Sequence, residues 1–185
     1  MSDFEKIAIE DTKNWLLEAV VGLNLCPFAK AVVVKNQVRY VVCHDADPEA
    51  VLQLLQTELK HLAHADPEAV DTTLLIAPNL WPEFLDFNEF LFDCDAVLQS
   101  LDLEGVLQIA DFHPRYQFAG VDADDISNFT NRAPYPTLHL LREDSIDKAV
   151  AAFPEAAHIY EKNILTLQAM GHEGWDALNL PKAVE

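Results

Sequence analysis

Apolar side chains recur at helical spacing over residues 4–21, at Phe4, Ile7, Ala8, Trp15, Leu16, Ala19 and Val20. Gly22 follows as a stop, so the pattern predicts an amphipathic helix with a C-terminal glycine. Pro27 falls in the first turn of a short helix within residues 24–30. Residues 31–34 and 38–43 are β-branched runs separated by Lys35, Asn36 and Gln37, which predicts a hairpin. Asp47 and Pro48 supply an N-cap and a first-turn proline for a helix to about Ala65. Residues 72–76 form a short apolar strand, and residues 82–101 a helix rich in Phe and Leu on one face.

Strands follow at residues 106–112 and 137–141. Asp144 or Ser145 caps a helix to Phe153, Pro154 breaks it, and residues 155–170 form another helix ended by Gly171. The tail from about residue 176 is expected to be loose. The alternation of helices and strands predicts an α/β fold, with α+β as the variant. Its mixed sheet has about five strands, and residues 1–185 make a single domain.

Residues 113–136 break this pattern. They show neither periodicity, and a connection of that length in a compact domain is functional or disordered. Tyr116, Phe118, Phe129 and Tyr135 supply more apolar surface than a solvated tail needs. The stretch is expected to be a functional loop before the last strand.

Charge sharpens that expectation. Thirty-one acidic residues against 12 basic ones give a formal net charge of −19, which disfavours nucleic acid as a partner. Three of the four arginines, Arg115, Arg132 and Arg142, lie in residues 113–142, where they balance Asp122, Asp124 and Asp125. A locally neutral, arginine-bearing patch suits a small anion. Pairing of the arginines with Asp124, Asp125 or Glu143 to hold the loop is the structural alternative.

No apolar run approaches a membrane span, and the acidic, amphipathic N-terminus is unlike a signal peptide. Three widely spaced cysteines without a CxxC pair fit reduced thiols and a cytoplasmic location. There is no glycine-rich dinucleotide fingerprint or Walker sequence, so neither NAD nor ATP is supported as a cofactor.

Asp111 and His113 share a strand face by alternation, at a C-terminal strand end where open α/β sheets bind ligands. If the last strand pairs antiparallel, His139 comes within one or two positions of His113 and can share its face. Cys26 precedes a proline at a helix start, where free N–H groups would stabilise a thiolate. With a histidine nearby it would form a nucleophilic pair, and a buried turn cysteine is the simpler alternative. His113, His139 and Asp111 are also competent ligands for a divalent metal, though no tight spacing supports one. Asn128, Asn131 and Arg132 are loop-fixing or ligand-binding groups, and Tyr116 and Tyr135 line a pocket or pack the loop.

Longer motifs carry a resemblance. Trp15 with Asn24-Leu-Cys-Pro-Phe-Ala29, Thr73-Leu-Leu-Ile76 and Phe84-Leu-Asp-Phe-Asn-Glu-Phe90 resemble a bacterial family of uncharacterised proteins, domain of unknown function 1415. So do Phe112-His-Pro-Arg-Tyr-Gln-Phe-Ala-Gly120, Thr130-Asn-Arg-Ala-Pro-Tyr-Pro136, Leu138-His-Leu-Leu-Arg-Glu143 and Ile159-Tyr-Glu-Lys-Asn163. The resemblance spans nearly the whole chain and implies a single-domain cytoplasmic protein. It implies no activity.

The residues themselves predict a small-molecule enzyme for a carboxylate- or phosphate-bearing metabolite. Arg115, Arg132 and Arg142 would hold the anion, with Tyr116, Asn128, Asn131 and Tyr135 around it. His113 or His139 would be the acid–base group and Cys26 the nucleophile. The alternatives are a metal- or ligand-binding protein without catalysis, and an acidic interaction protein.

Overall fold

A computed structural model describes residues 2–152 and 158–181. Helix α1 (Asp3–Trp15) starts at a capping box in which Ser2 and Glu5 each receive the other's backbone N–H. It runs into a π-helical turn, Leu16–Val21, where Gly22 N–H reaches back five residues to Leu17 O at 2.9 Å. Gly22 itself is right-handed, not the left-handed cap that the glycine suggested. Its place is explained by crowding: a Cβ there would lie 2.3 Å from Glu18 O. The left-handed residue is Asn24, at φ 56°.

Helix α2 (Ala29–Val34) corrects the first strand of the expected hairpin. Periodicity cannot distinguish a short β-branched run from a buried helical one. Here Val33 packs into the cluster around Trp15, and Gln37 N–H closes the end on Val32 O at 2.9 Å. The mixed sheet, expected to have about five strands, has four: β1 (Val38–Val42), β2 (Thr72–Ile76), β3 (Leu107–Phe112) and β4 (Thr137–Arg142), in the order β1-β2-β4-β3. The β1–β2 pair is parallel, and β4 runs antiparallel to both β2 and β3. The parallel pair is joined through helix α3 (Pro48–His64), capped by Asp47, whose carboxylate accepts Glu49 N–H at 3.0 Å.

Alternation divides the sheet into two faces. Leu75, Leu107, Leu138 and Leu140 meet α3 and helix α4 (Phe84–Ser100) in the largest core cluster, with Leu55, Leu59, Phe87 and Cys94. Leu74, Phe112 and Tyr40 face the other way, towards Trp15, Leu16 and Val20. Helix α5 (Glu143–Ala152) follows β4, and helix α6 (Ile159–Asp176) packs on the long loop. Gly171, at φ 66°, kinks α6 where the glycine had predicted its end. Leu178 and Leu180 pack into the Trp15 cluster, so the described tail is docked rather than loose. The expected helix end at Phe153, the break at Pro154 and the next start at residue 155 lie outside the described residues.

Candidate functional site

The antiparallel β3–β4 pairing places His139 opposite Ala110 and Phe112 opposite Thr137. His139 therefore shares its face with Phe112, whose ring centroid is 6.0 Å away. His113 follows Asp111 on the other face and stacks on Phe87 of α4 at 5.5 Å. The two histidines do not converge, which corrects the expected constellation. Asp111 lies on the α4 side, and burial raises its carboxyl above the usual range. Among the described residues, no group of three or more His, Cys, Asp or Glu side chains stands together as a metal site.

His113 is buried with both ring nitrogens engaged. Nδ1 accepts Arg115 N–H at 2.9 Å, so Nε2–H donates to Trp81 O at 2.8 Å. Desolvation, partly offset by the Trp81 carbonyl, lowers its pKa. The ring pins the loop entrance to the turn before α4.

Most of the loop's polar groups are likewise used in holding it. Asn128, fully buried, accepts Phe118 N–H at 3.0 Å and donates to Asp122 O at 2.8 Å. Asn131 donates to Asp111 O at 3.3 Å, and the Tyr135 hydroxyl donates to Asp11 of α1 at 2.6 Å. Tyr116 packs against Phe84 and Phe118.

Nor do the arginines gather. Arg115 pairs with Glu83 at the surface, and Arg132 bonds Tyr116 O and Ala123 O while stacking on Phe129 at 4.3 Å. Arg142 donates to Ala65 O and Val70 O at 2.8 and 3.1 Å. Each guanidinium anchors a different part of the chain, so the expected three-arginine anion cradle is absent. Sequence position had grouped residues that the fold separates.

What the structure does bring together is Cys26 and His139. Both line a cavity of about 660 Å³ between the α2 and α5 sides of the sheet. Its walls are largely apolar, from Trp15, Leu16, Val20, Leu74 and Phe112, with Pro27 and Val32 above. Thr72, Gln108 and His139 put polar groups on the sheet floor, a feature that only the strand register reveals. Lys35, Arg142 and Lys148 also line it, against Glu68 and Asp71. Lys35 pairs loosely with Glu68 at 3.7 Å, and Asp71 accepts the Ser145 hydroxyl at 2.6 Å. A second cavity of about 470 Å³ lies across Trp15, bounded by Phe129, Arg132 and Trp175.

Electrostatics at the larger cavity favour neutral groups. Burial pushes the Cys26 thiol up, outweighing the Phe28 and Ala29 N–H groups that favour the thiolate. The turn does present N–H groups as expected, but desolvation wins and the sulfur stays protonated. Burial takes His139 down to about 4. Its Nε2 lies 2.7 Å from the Thr72 hydroxyl, which itself donates to Leu140 O at 2.7 Å.

A mixed four-stranded sheet, sealed by two helices on one face and cavity-bearing on the other, makes this a mixed α/β protein. No helix among the described residues is long and apolar enough to cross a membrane. The chain belongs to a family of proteins of unknown function, DUF1415, whose model matches residues 7–177. No curated protein and no solved structure matches it.

Proposed function

We propose that this protein binds a small, largely apolar molecule carrying an anionic group, in the cavity that contains Cys26 and His139. The observation that carries this reading is the cavity itself. Its volume of about 660 Å³ falls within the range of small-molecule sites, about 300–1,000 Å³, and a few polar groups interrupt its apolar lining. The lining has three bases and two acids on a chain whose formal charge is −19. That contrast suits a carboxylate or phosphate at the exposed end, near Lys35 and Lys148, with the apolar body on Leu74 and Phe112.

Binding without nucleophilic chemistry is favoured over an enzyme using Cys26 and His139. A thiolate–imidazolium pair needs a lowered cysteine and a raised histidine. Burial moves both the other way.

Calorimetric titration with medium-chain and aromatic carboxylates tests the reading, using wild type and Val32→Trp, which places an indole in the cavity. Wild type should bind at least one carboxylate, more weakly as salt is raised, and Val32→Trp should weaken it tenfold or more. Absence of binding across the series, or equal affinity in Val32→Trp, would overturn it.

A further inference from the structure

The polar floor of the cavity has a direction that its volume and charge do not disclose. The Thr72 hydroxyl has one proton, and an oxygen–oxygen approach of 2.7 Å to the Leu140 carbonyl holds only with that proton between them. Thr72 Oγ1 therefore faces His139 as an acceptor, and the His139 ring must carry its proton on Nε2. Nδ1 is left with a lone pair. Among the described residues it has no hydrogen-bond partner, yet it is not one of the buried, partnerless side-chain atoms, which are Thr73 Oγ1, Thr130 Oγ1 and Arg142 Nε. It thus touches open space, and the space that His139 lines is the cavity.

We infer that the buried end of the ligand carries an O–H or N–H donor, received by His139 Nδ1. The inference rests on the cavity reading above and specifies its ligand: an apolar body with a donor at depth and the anionic group near the exposed lysines. An ionised carboxylate or an ether oxygen at the floor would meet the Nδ1 lone pair with its own and leave both unpaired. Gln108, on the same sheet face, does not set this polarity, because an amide turns to offer either its carbonyl or its N–H. The ring cannot switch sides readily. Reversing the tautomer would leave one hydroxyl proton for two acceptors, Nε2 and the Leu140 carbonyl, and so set two lone pairs against each other. Protonating Nδ1 instead is opposed by burial, which keeps the imidazole neutral until about pH 4.

The test uses matched pairs differing only in the donor: para-hydroxyphenylpropionate against its methyl ether, and indolepropionate against N-methylindolepropionate. Wild type should bind the donor member of each pair at least tenfold more tightly. His139→Leu should remove that preference, and Thr72→Val, which frees the tautomer while keeping the ring, should reduce it without abolishing binding. Nitrogen-15 NMR of the free protein should show the Nε2–H tautomer at His139. Equal affinity for both members, a preference that survives in His139→Leu, or an Nδ1–H tautomer would each overturn the donor requirement. If both members bind equally, the cavity reading stands and only this inference falls. If neither binds wild type, both fall together.

Discussion

His139 and His113 stay neutral for the same reason, burial, and both therefore link stability to pH. In the unfolded chain each takes up a proton near pH 6.5, whereas the folded ring resists protonation to a lower pH. The unfolded state thus binds more protons below pH 6.5, and the contribution is complete above that pH and lost as pH falls. For His139, displaced from 6.5 to about 4, the loss across this window is about 3 kcal/mol. Acidification from pH 7 towards the sequence pI of about 4.5 also relieves the repulsion of the −19 chain, in wild type and variant alike, so the histidine contribution is read as a difference. The urea midpoint of wild type should decline relative to that of His139→Gln between pH 7 and pH 4. An identical pH dependence in the two proteins would contradict this. Residue positions were partly legible: Cys26 and His139 line the same cavity. Their partners were not. Thr72 and Gln108 join them only once β4 takes its register against β2 and β3, and a one-residue slip exchanges faces. Local sequence does not specify that register.

Among the elements, the π-helical turn has the most exacting local requirement. Leu16 and Val20 point into the cavity from a turn closed by five-residue hydrogen bonds, and Gly22 fits only because it lacks a Cβ. Gly22→Ala must displace the Glu18 carbonyl. It should cost about 1–3 kcal/mol, the range of an overpacked site, read as a lower urea midpoint. An unchanged midpoint would show that the turn yields freely. Most elements could be read from periodicity and caps, as Asp47-Pro48 shows for α3 and the apolar run for β2. The failure at α2 has a specific cause. Its run of valines fits a strand by propensity, but packing against Trp15 decides in favour of the helix. The long loop lacks strand and α-helical structure but contains a 3-10 helix, Ile126–Asn131. Its polar residues, however, serve mainly to hold it closed, since internal carbonyls and N–H groups need partners wherever a loop lacks regular structure.

At the scale of the molecule, a charge of −19 works against compactness. The described ion pairs are few, and most are exposed. The bidentate Arg39–Glu58 pair, at 2.7 and 3.0 Å, is an exception in that its carboxylate is buried. Self-repulsion should therefore outweigh ion-pair attraction in the response to salt. Screening shortens from about 30 Å at 0.01 M to about 8 Å at 0.15 M. The melting temperature should rise over that interval, by about 2–4 °C for each kcal/mol of repulsion relieved at this chain length. A falling melting temperature would mean that the attractive pairs dominate.

Trp15 stands in the wall of both cavities, nearly inaccessible to solvent and edge-on to Phe112 at 5.0 Å. Trp81 belongs to the opposite side of the sheet, beside Phe87 and Phe90, while Trp175 borders the smaller cavity alone. The three indoles therefore divide the molecule optically. A molecule entering the larger cavity alters the surroundings of Trp15, one entering the smaller alters Trp15 and Trp175 together, and Trp81 stays dark to both. The protein carries its own two-channel reporter of which chamber is filled.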